Sequence, residues 1–501
     1  MDLNRVEHDL LGEIRLSSND LFGIHTARAS ENFRLGGESL RQFPALLTAL
    51  AQVKSAAAWA NVKLGVLPEE IGNAIMGAAA EVAAGDLHEH FPLDVVQGGG
   101  GTSTNMNMNE VLATRAAELL ATTPETSPNG HAPRTDLDDH ITGDPGGQSA
   151  HMDPRGQTTL SASHGQSTRV VRDGHVTRVD PHDHVNRSQS TNDVMPTALN
   201  IAVLTTAQAT VRSLRVVAES LRRQAARYRS LERLGRTCLQ DAVPVPAGLV
   251  HDGQASAVLS AARLLESAAG ELRGVPLGAT AIGTGLGAPP GYAELALERL
   301  AEETGLALEP AANLSDGIAS LEAMASVADA MARGGRVLAR VASDLRLLSS
   351  GPVGGIAEVR LPPMQAGSSI MPGKVNPVIP ELVMQVSFQL EGGAHTVHLA
   401  CAAGELEVTP WGPVVTAELL RGLRRLERVA MLFATRCLDG MAWNEDAVRD
   451  NLRGSLREAV ESAVEHGHAY AVTHFPLERL EAPEAPDPAQ TPDPNHPAGT
   501  P

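Results

Sequence analysis

Three short segments gather hydroxyls, amides and glycines in this chain. They are Gly98-Gly-Gly-Gly-Thr-Ser-Thr-Asn-Met-Asn, Asn186-Arg-Ser-Gln-Ser-Thr-Asn-Asp-Val-Met-Pro-Thr and Gly367-Ser-Ser-Ile-Met-Pro-Gly-Lys-Val-Asn-Pro. Each leads into a helical pattern. A helix start offers unpaired backbone N–H groups and the positive end of its dipole, so it attracts anions. Taken singly, each segment is an ordinary N-cap with turn residues. Brought together, the three suit a small carboxylate. The third is the most informative: Gly367, Pro372, Gly373 and Pro377 shape a tight turn, Ser368 and Ser369 bring hydroxyls, Lys374 a cation and Asn376 an amide. No histidine stands near Ser368 in sequence and there is no Gly-x-Ser-x-Gly elbow, which argues against a hydrolase serine. The dipoles and the cation that hold the anion can activate such a serine instead.

The elements that must position these loops are helical. Aromatic residues make up only 3% of the chain, which starves a β-sandwich or barrel of strand formers. An Ala-rich pattern starts near Pro44 and passes Val62, a second runs from Pro68 to Ala84, and a polar helix from about Ser103 to Ala121. Val211, Leu214, Val217 and Leu221 form one apolar stripe. Leu321, Met324, Ala328 and Met331 form another, and Leu338, Val341, Leu345 and Leu348 a third. Spacings of three and four put each set on one helix face, and long helices with narrow stripes predict a bundle.

The chain is 501 residues long, more than one ordinary core accommodates. The predicted division is an N-terminal domain over 1–121, an aperiodic disordered insertion over 122–179, a central bundle over 180–440, a reduced C-terminal region over 441–480 and a Pro-rich disordered tail over 481–501. The insertion carries His131, His140, His151, His164 and His175, with His182 and His184 just after it. Their irregular spacing without cysteine speaks against a metal site. The formal net charge of −19 repels phosphate backbones and makes nucleic acid an unsuitable partner. Attraction for an anionic substrate must therefore be local. No apolar run reaches the roughly 18 residues that span a bilayer, and the start lacks the pattern of a secretory leader. The expectation is a cytoplasmic protein with no membrane partner and with Cys238, Cys401 and Cys437 reduced. Lysines are scarce, Lys54, Lys63 and Lys374 being the whole set.

The Gly367–Pro377 segment resembles the shared loop of the aspartase/fumarase superfamily over eleven consecutive positions. Gly101-Thr-Ser-Thr-Asn-Met-Asn-Met-Asn-Glu-Val and Val185-Asn-Arg-Ser-Gln-Ser-Thr-Asn-Asp resemble its two other shared regions, in the same order. Gly23-Ile-His-Thr-Ala-Arg-Ala-Ser-Glu-Asn-Phe, Gly278-Ala-Thr-Ala-Ile-Gly-Thr-Gly and Leu361-Pro-Pro-Met-Gln-Ala-Gly are similar to the aspartase branch. The resemblance covers about 7–120 and 180–450. It implies a mainly α fold, with a long central helical bundle, a smaller N-terminal domain and a reduced C-terminal domain. It also implies a homotetramer with each site shared between subunits.

The activity implied is reversible deamination of L-aspartate to fumarate and ammonia, with no metal or organic cofactor. Hydration of fumarate to L-malate is the alternative, and a catalytically silent member a second one. By resemblance Ser368 is the base that removes the Cβ proton. Ser369, Thr102, Ser190 and Thr191 bind the carboxylate that becomes the aci-carboxylate. Lys374 and Asn376, with Thr237, hold the α-carboxylate, and Asn192 lies near the amine. Cys238 stands where relatives carry His or Gln, and is expected to be a small buried residue. Asp180-Pro-His182-Asp183 departs from a His-Pro-Asn-Asp segment that forms a secondary anion site in fumarases.

Overall fold

The structure, a computed structural model, describes residues 4–122, 168–172, 175–453 and 455–475. Within them the chain is mainly α and folds as two compact units. The first comprises Met1–Gln208, Glu266–Asp329 and Gly392–Arg424, and the second Ala209–Leu265, Ala330–Glu391 and Arg425–Pro501. The long helices Thr191–Arg227, Ala247–Gly270, Glu322–Leu348, Val378–Ala402 and Gly412–Phe433 have residues in both.

In the first unit, helix Pro44–Lys63 starts on a proline, whose missing N–H costs nothing at that position. Helix Glu69–Ala84 carries Glu69 and Glu70 in its first turn and stops at Gly85, whose φ of 98° is left-handed. These two helices pack together, the first also against helix Tyr292–Thr304 and the second against helix Thr102–Thr122. Their small alanines permit the close approach: Ala49, Ala51, Ala56, Ala57, Ala60, Ala78 and Ala79 are all buried.

Helix Thr102–Thr122 is unusual because its buried positions include Thr104, Asn105, Asn107, Asn109 and Glu110. Buried polar groups need partners. Asn107 donates to the His90 carbonyl at 3.0 Å. Glu110 accepts from the N–H groups of Gly23, His25 and Thr26 and from the Thr26 hydroxyl, at 2.6–3.1 Å, so it caps helix Ile24–Asn32 from outside. Burial raises its pKa in spite of these bonds, which act in the opposite direction.

Two strands, Thr168–Arg172 and His175–Val179, pair antiparallel with Thr168 opposite Val179, and lie along helix Thr102–Thr122. The aperiodic stretch expected over 122–179 therefore ends in regular structure, because a hairpin needs only pairing, which helical periodicity does not reveal. Residues 123–167, with most of the histidine tract, lie outside the described residues, as does the tail over 481–501.

In the second unit, Val211, Leu214, Val217 and Leu221 are buried, and so are Leu338, Val341 and Leu345. Apart from Leu321, which precedes it, the second and third stripes read from the sequence belong to one helix, Glu322–Leu348. Its Gly334 and Gly335 let neighbouring helices come close. A Cβ on Gly334 would lie 2.9 Å from Leu426 Cδ2, and one on Gly335 2.8 Å from Leu390 Cδ1. Helix Thr191–Arg227 is long and apolar enough to cross a membrane, although the sequence shows no unbroken apolar run, and most of that stretch is buried. Helices Glu445–Leu452 and Arg457–His466 pack on the hairpin Glu232–Thr237/Gln240–Pro246, where Arg457 pairs with Glu232 at 2.7 Å.

Candidate active site

In the first unit, Gly99, Gly100 and Gly101 have φ values of 85°, 65° and 94°. Three successive left-handed residues require glycine, which accounts for the glycine run. The run ends at the start of helix Thr102–Thr122. Thr102 is exposed there, and its hydroxyl donates to the Gly99 carbonyl at 2.9 Å.

Ser190, Thr191 and Asn192 occupy one helix start. The Ser190 N–H donates to Asp193 Oδ1 at 3.0 Å, and Ser190 Oγ accepts from the Asn192 N–H at 3.2 Å, a reciprocal cap. Asp193 Oδ2 accepts from the N–H groups of Gly278 and Thr280 at 3.1 and 3.0 Å, and Asn192 Nδ2 donates to the Ala281 carbonyl at 2.8 Å. The Gly278–Gly285 loop is thereby stapled to the helix start. Thr191 Oγ1 accepts from Asn105 Nδ2 at 3.0 Å, which ties this start to the helix of Thr102. Gly100, Thr191, Asn192, Met195, Thr409 and Thr416 line a narrow cleft within the unit.

Sequence reasoning singled out one cation in the polar loops, Lys374, and passed over Arg187. The structure adds another behind the second loop. Lys54, fully buried, donates from Nζ to Asn186 Oδ1 and Gln189 Oε1, both at 2.9 Å. Burial pulls its pKa down to about 7, opposed by the Asp193 carboxylate. Burial lifts Asp193 to about 6, opposed by its backbone hydrogen bonds and by Lys54. A lysine amid the apolar Ala49–Ala60 run, in a chain with so few lysines, was the available signal.

In the second unit, Ser368 is half-buried. Its Oγ accepts from the N–H groups of Ile370 and Met371 at 3.2 and 3.1 Å. Two donors converging on one hydroxyl oxygen favour negative charge there. Gly367 N–H donates to the Lys374 carbonyl at 2.9 Å, and Asn376 Nδ2 closes the loop on the Gly367 carbonyl at 3.1 Å. Ser369 and Lys374 are exposed, and Lys374 has no ion-pair partner among the described residues.

Thr237 stands at a hairpin tip whose next two residues, Cys238 and Leu239, have φ values of 52° and 63°. Cys238 is exposed, contrary to the expectation of a buried thiol, because the two-residue turn holds it clear of any core. The strand is anchored one residue earlier, where Arg236 pairs with the buried Glu358 at 2.8 Å. The structure thus gathers Ser190, Thr191 and Asn192 beside the helix of Thr102 in one unit, and Ser368, Ser369, Lys374 and Asn376 on one loop of the other. No hydrogen bond among the described residues ties Thr237 to that loop. Asp180, in the segment that departs from the fumarase pattern, accepts from the N–H groups of His182 and Asp183 at 2.8 and 2.9 Å. Its carboxylate fills the positions an outside anion would take.

A family model described as lyase matches residues 12–143 and 147–392. The chain belongs to this lyase family. Among its relatives is the aspartate ammonia-lyase of Pseudomonas aeruginosa, 37% identical over 454 residues, which cover 90% of this chain and 85% of that protein. The fold matches the fumarate lyase:delta crystallin of Brucella melitensis in native form, with a TM-score of 0.78 at 36% identity, over 94% of this chain and 96% of that one. It also matches the recombinant class II fumarase of Schistosoma mansoni, with a TM-score of 0.81 at 29% identity, over 94% and 91%. The protein is accordingly a carbon–nitrogen lyase of the aspartase/fumarase superfamily, and its mainly α fold is that of the superfamily.

Proposed function

We propose that the protein is an aspartate ammonia-lyase, interconverting L-aspartate with fumarate and ammonia. The observation that carries this reading is the Ser368 oxygen held under two backbone N–H groups, on a loop that also presents Lys374 and Asn376. Ser368, as its oxyanion, takes the Cβ proton. The electron pair moves into the β-carboxylate and gives an aci-carboxylate dianion. That dianion collapses to the Cα–Cβ double bond as the Cα–N bond breaks and ammonia leaves. A Cβ–H beside a carboxylate is a very weak acid, so donors aimed at the developing dianion do most of the work. Ser369, Thr102, Ser190 and Thr191 take that role. Lys374, Asn376 and Thr237 hold the α-carboxylate, and Asn192 lies near the amine. The reaction so drawn needs no metal or organic cofactor.

The homotetramer with shared sites belongs to this reading. Ile370, Met371 and Val375 on the Ser368 loop and Leu239 on the Thr237 tip are exposed apolar residues, which suits packing against other copies. An exposed free thiol at Cys238 suits a reducing compartment, hence the cytoplasm. Hydration of fumarate is the second reading, favoured by the likeness to a class II fumarase. Kinetics of Ser368→Ala test the mechanism. Turnover of L-aspartate is expected to fall at least about a hundredfold with KM within a few-fold, as for a group acting only in the transition state. Near-normal turnover would remove Ser368 from the role of base.

A further inference from the structure

Lys54 is one of the largest fully buried side chains, and the mechanism above gives it no task. Its two hydrogen bonds go to the neutral amide oxygens of Asn186 and Gln189 rather than to Asp193. Asn186 Oδ1 also accepts from Asn105 Nδ2 at 3.2 Å and Asn109 Nδ2 at 3.1 Å. With its oxygen so engaged, Asn186 turns its own amide to the Gln189 carbonyl at 3.2 Å. Asn105 Nδ2 bridges Asn186 Oδ1 and Thr191 Oγ1. An amide nitrogen only donates. Thr191 Oγ1 is therefore the acceptor in that bond, and the Thr191 proton points elsewhere. Thr191 lines the cleft with Asn192 and Gly100.

We propose that Lys54 is a positioning residue: by fixing Asn186, and through it Asn105, it holds the Thr191 hydroxyl as a donor toward a substrate carboxylate. This rests on the lyase reading of the site. The chain of bonds explains why an amine is sealed behind this loop and donates to its amides rather than pairing with the nearby Asp193 carboxylate. A side chain without N–H donors at 54 leaves Asn186 free to flip. Asn105 is then free to present its oxygen to Thr191, which takes up the hydroxyl proton. A lysine buried for packing alone would have no such route to the cleft, and replacing buried charge by an apolar side chain of similar volume is often neutral for stability or favourable.

The test is a double-mutant cycle of Lys54→Met and Thr191→Val, read both as kcat/KM on L-aspartate and as fumarate affinity by calorimetry. Each single variant is expected to lower kcat/KM by about tenfold or more and to weaken fumarate binding, while the Tm of Lys54→Met stays equal or rises. The double variant should be no worse than Thr191→Val within about threefold, because both act through one hydroxyl. Asn105→Asp, which leaves Lys54 in place but turns the bond to Thr191 around, should reproduce the loss even if Lys54→Met fails to fold. Multiplicative losses, or unchanged fumarate affinity in both Lys54→Met and Asn105→Asp, would overturn the proposal while leaving the lyase reading intact. Coupled fumarate affinities in a wild-type protein that turns over neither L-aspartate nor L-malate would do the reverse. No fumarate binding at all would end both.

Discussion

Replacing Gly367 by alanine separates the geometry of the Ser368 loop from the stability of the fold. The new Cβ would stand 2.8 Å from the Asn376 backbone nitrogen and 3.0 Å from Val375 Cα, and closer still to the Lys374 carbonyl oxygen. These are backbone atoms, so no side-chain rotation relieves the clash, and the loop must open between 367 and 376. Opening breaks the Gly367 N–H bond to Lys374 at 2.9 Å and the Asn376 bond to Gly367 at 3.1 Å. At about 1 kcal/mol net for each ordinary hydrogen bond, these bonds favour the closed loop by about 2 kcal/mol in the wild type. Their loss in the variant lowers the preference for the closed geometry about thirtyfold, at roughly 1.4 kcal/mol per factor of ten. Residues 369–375 are exposed, so no core packing is disturbed. Steady-state fumarate formation should show kcat/KM reduced by about 10- to 100-fold, with Tm moved by no more than about 2 °C. A kcat/KM within threefold of wild type, or a collapse of Tm, would refute the assignment of a rigid, locally closed loop.

Three further outcomes are expected. Lys374→Ala should raise KM for L-aspartate by about one to two decades, the worth of a charged hydrogen bond, and Lys374→Arg should not restore it, which steady-state kinetics will show. Refolding Ser368→Ala chains with Thr102→Ala chains should recover activity if sites are shared between copies; none, with tetramers confirmed by light scattering, would count against sharing. Stability should rise with pH above neutrality because of Lys54: the folded lysine loses its proton near 7 and the unfolded one near 10.5, so between these values the unfolded state binds more protons. The facing carboxylate, Asp193, has the opposite sign at lower pH, where stability falls between 3.8 and about 6, while Tyr292, buried beside Asp193, stays protonated throughout. The rise in Tm between pH 7 and 9.5 should disappear in Lys54→Met, and equal slopes in the two proteins would contradict it.

The helices were legible because their apolar spacing is regular: Pro44–Lys63, Glu69–Ala84 and Thr102–Thr122 lie within a few residues of where the pattern puts them. The Ser368 loop was legible because glycine, proline and serine there have local tasks, as the 367–376 closure shows. The network of Lys54, Asn105, Asn186 and Asp193 was not, since its members are far apart in sequence and each alone resembles a surface residue. Only long-range packing brings Lys54 to Asn186. The exposure of Cys238 depended on a turn with two consecutive left-handed non-glycine residues, which composition does not announce. The hairpin ending at Val179 escaped because its strands are only five residues each, too short to show in a helical periodicity, although Val and Thr are frequent in them.

The most direct measurement compares initial rates of fumarate formation from L-aspartate and from L-malate, followed by ultraviolet absorbance on the same wild-type preparation, with released ammonia assayed alongside. The expected result is faster fumarate formation from L-aspartate, with one ammonia per fumarate, and loss of both in Ser368→Ala. Fumarate from L-malate alone would make the protein a fumarate hydratase, and fumarate from neither substrate would contradict the assigned chemistry altogether.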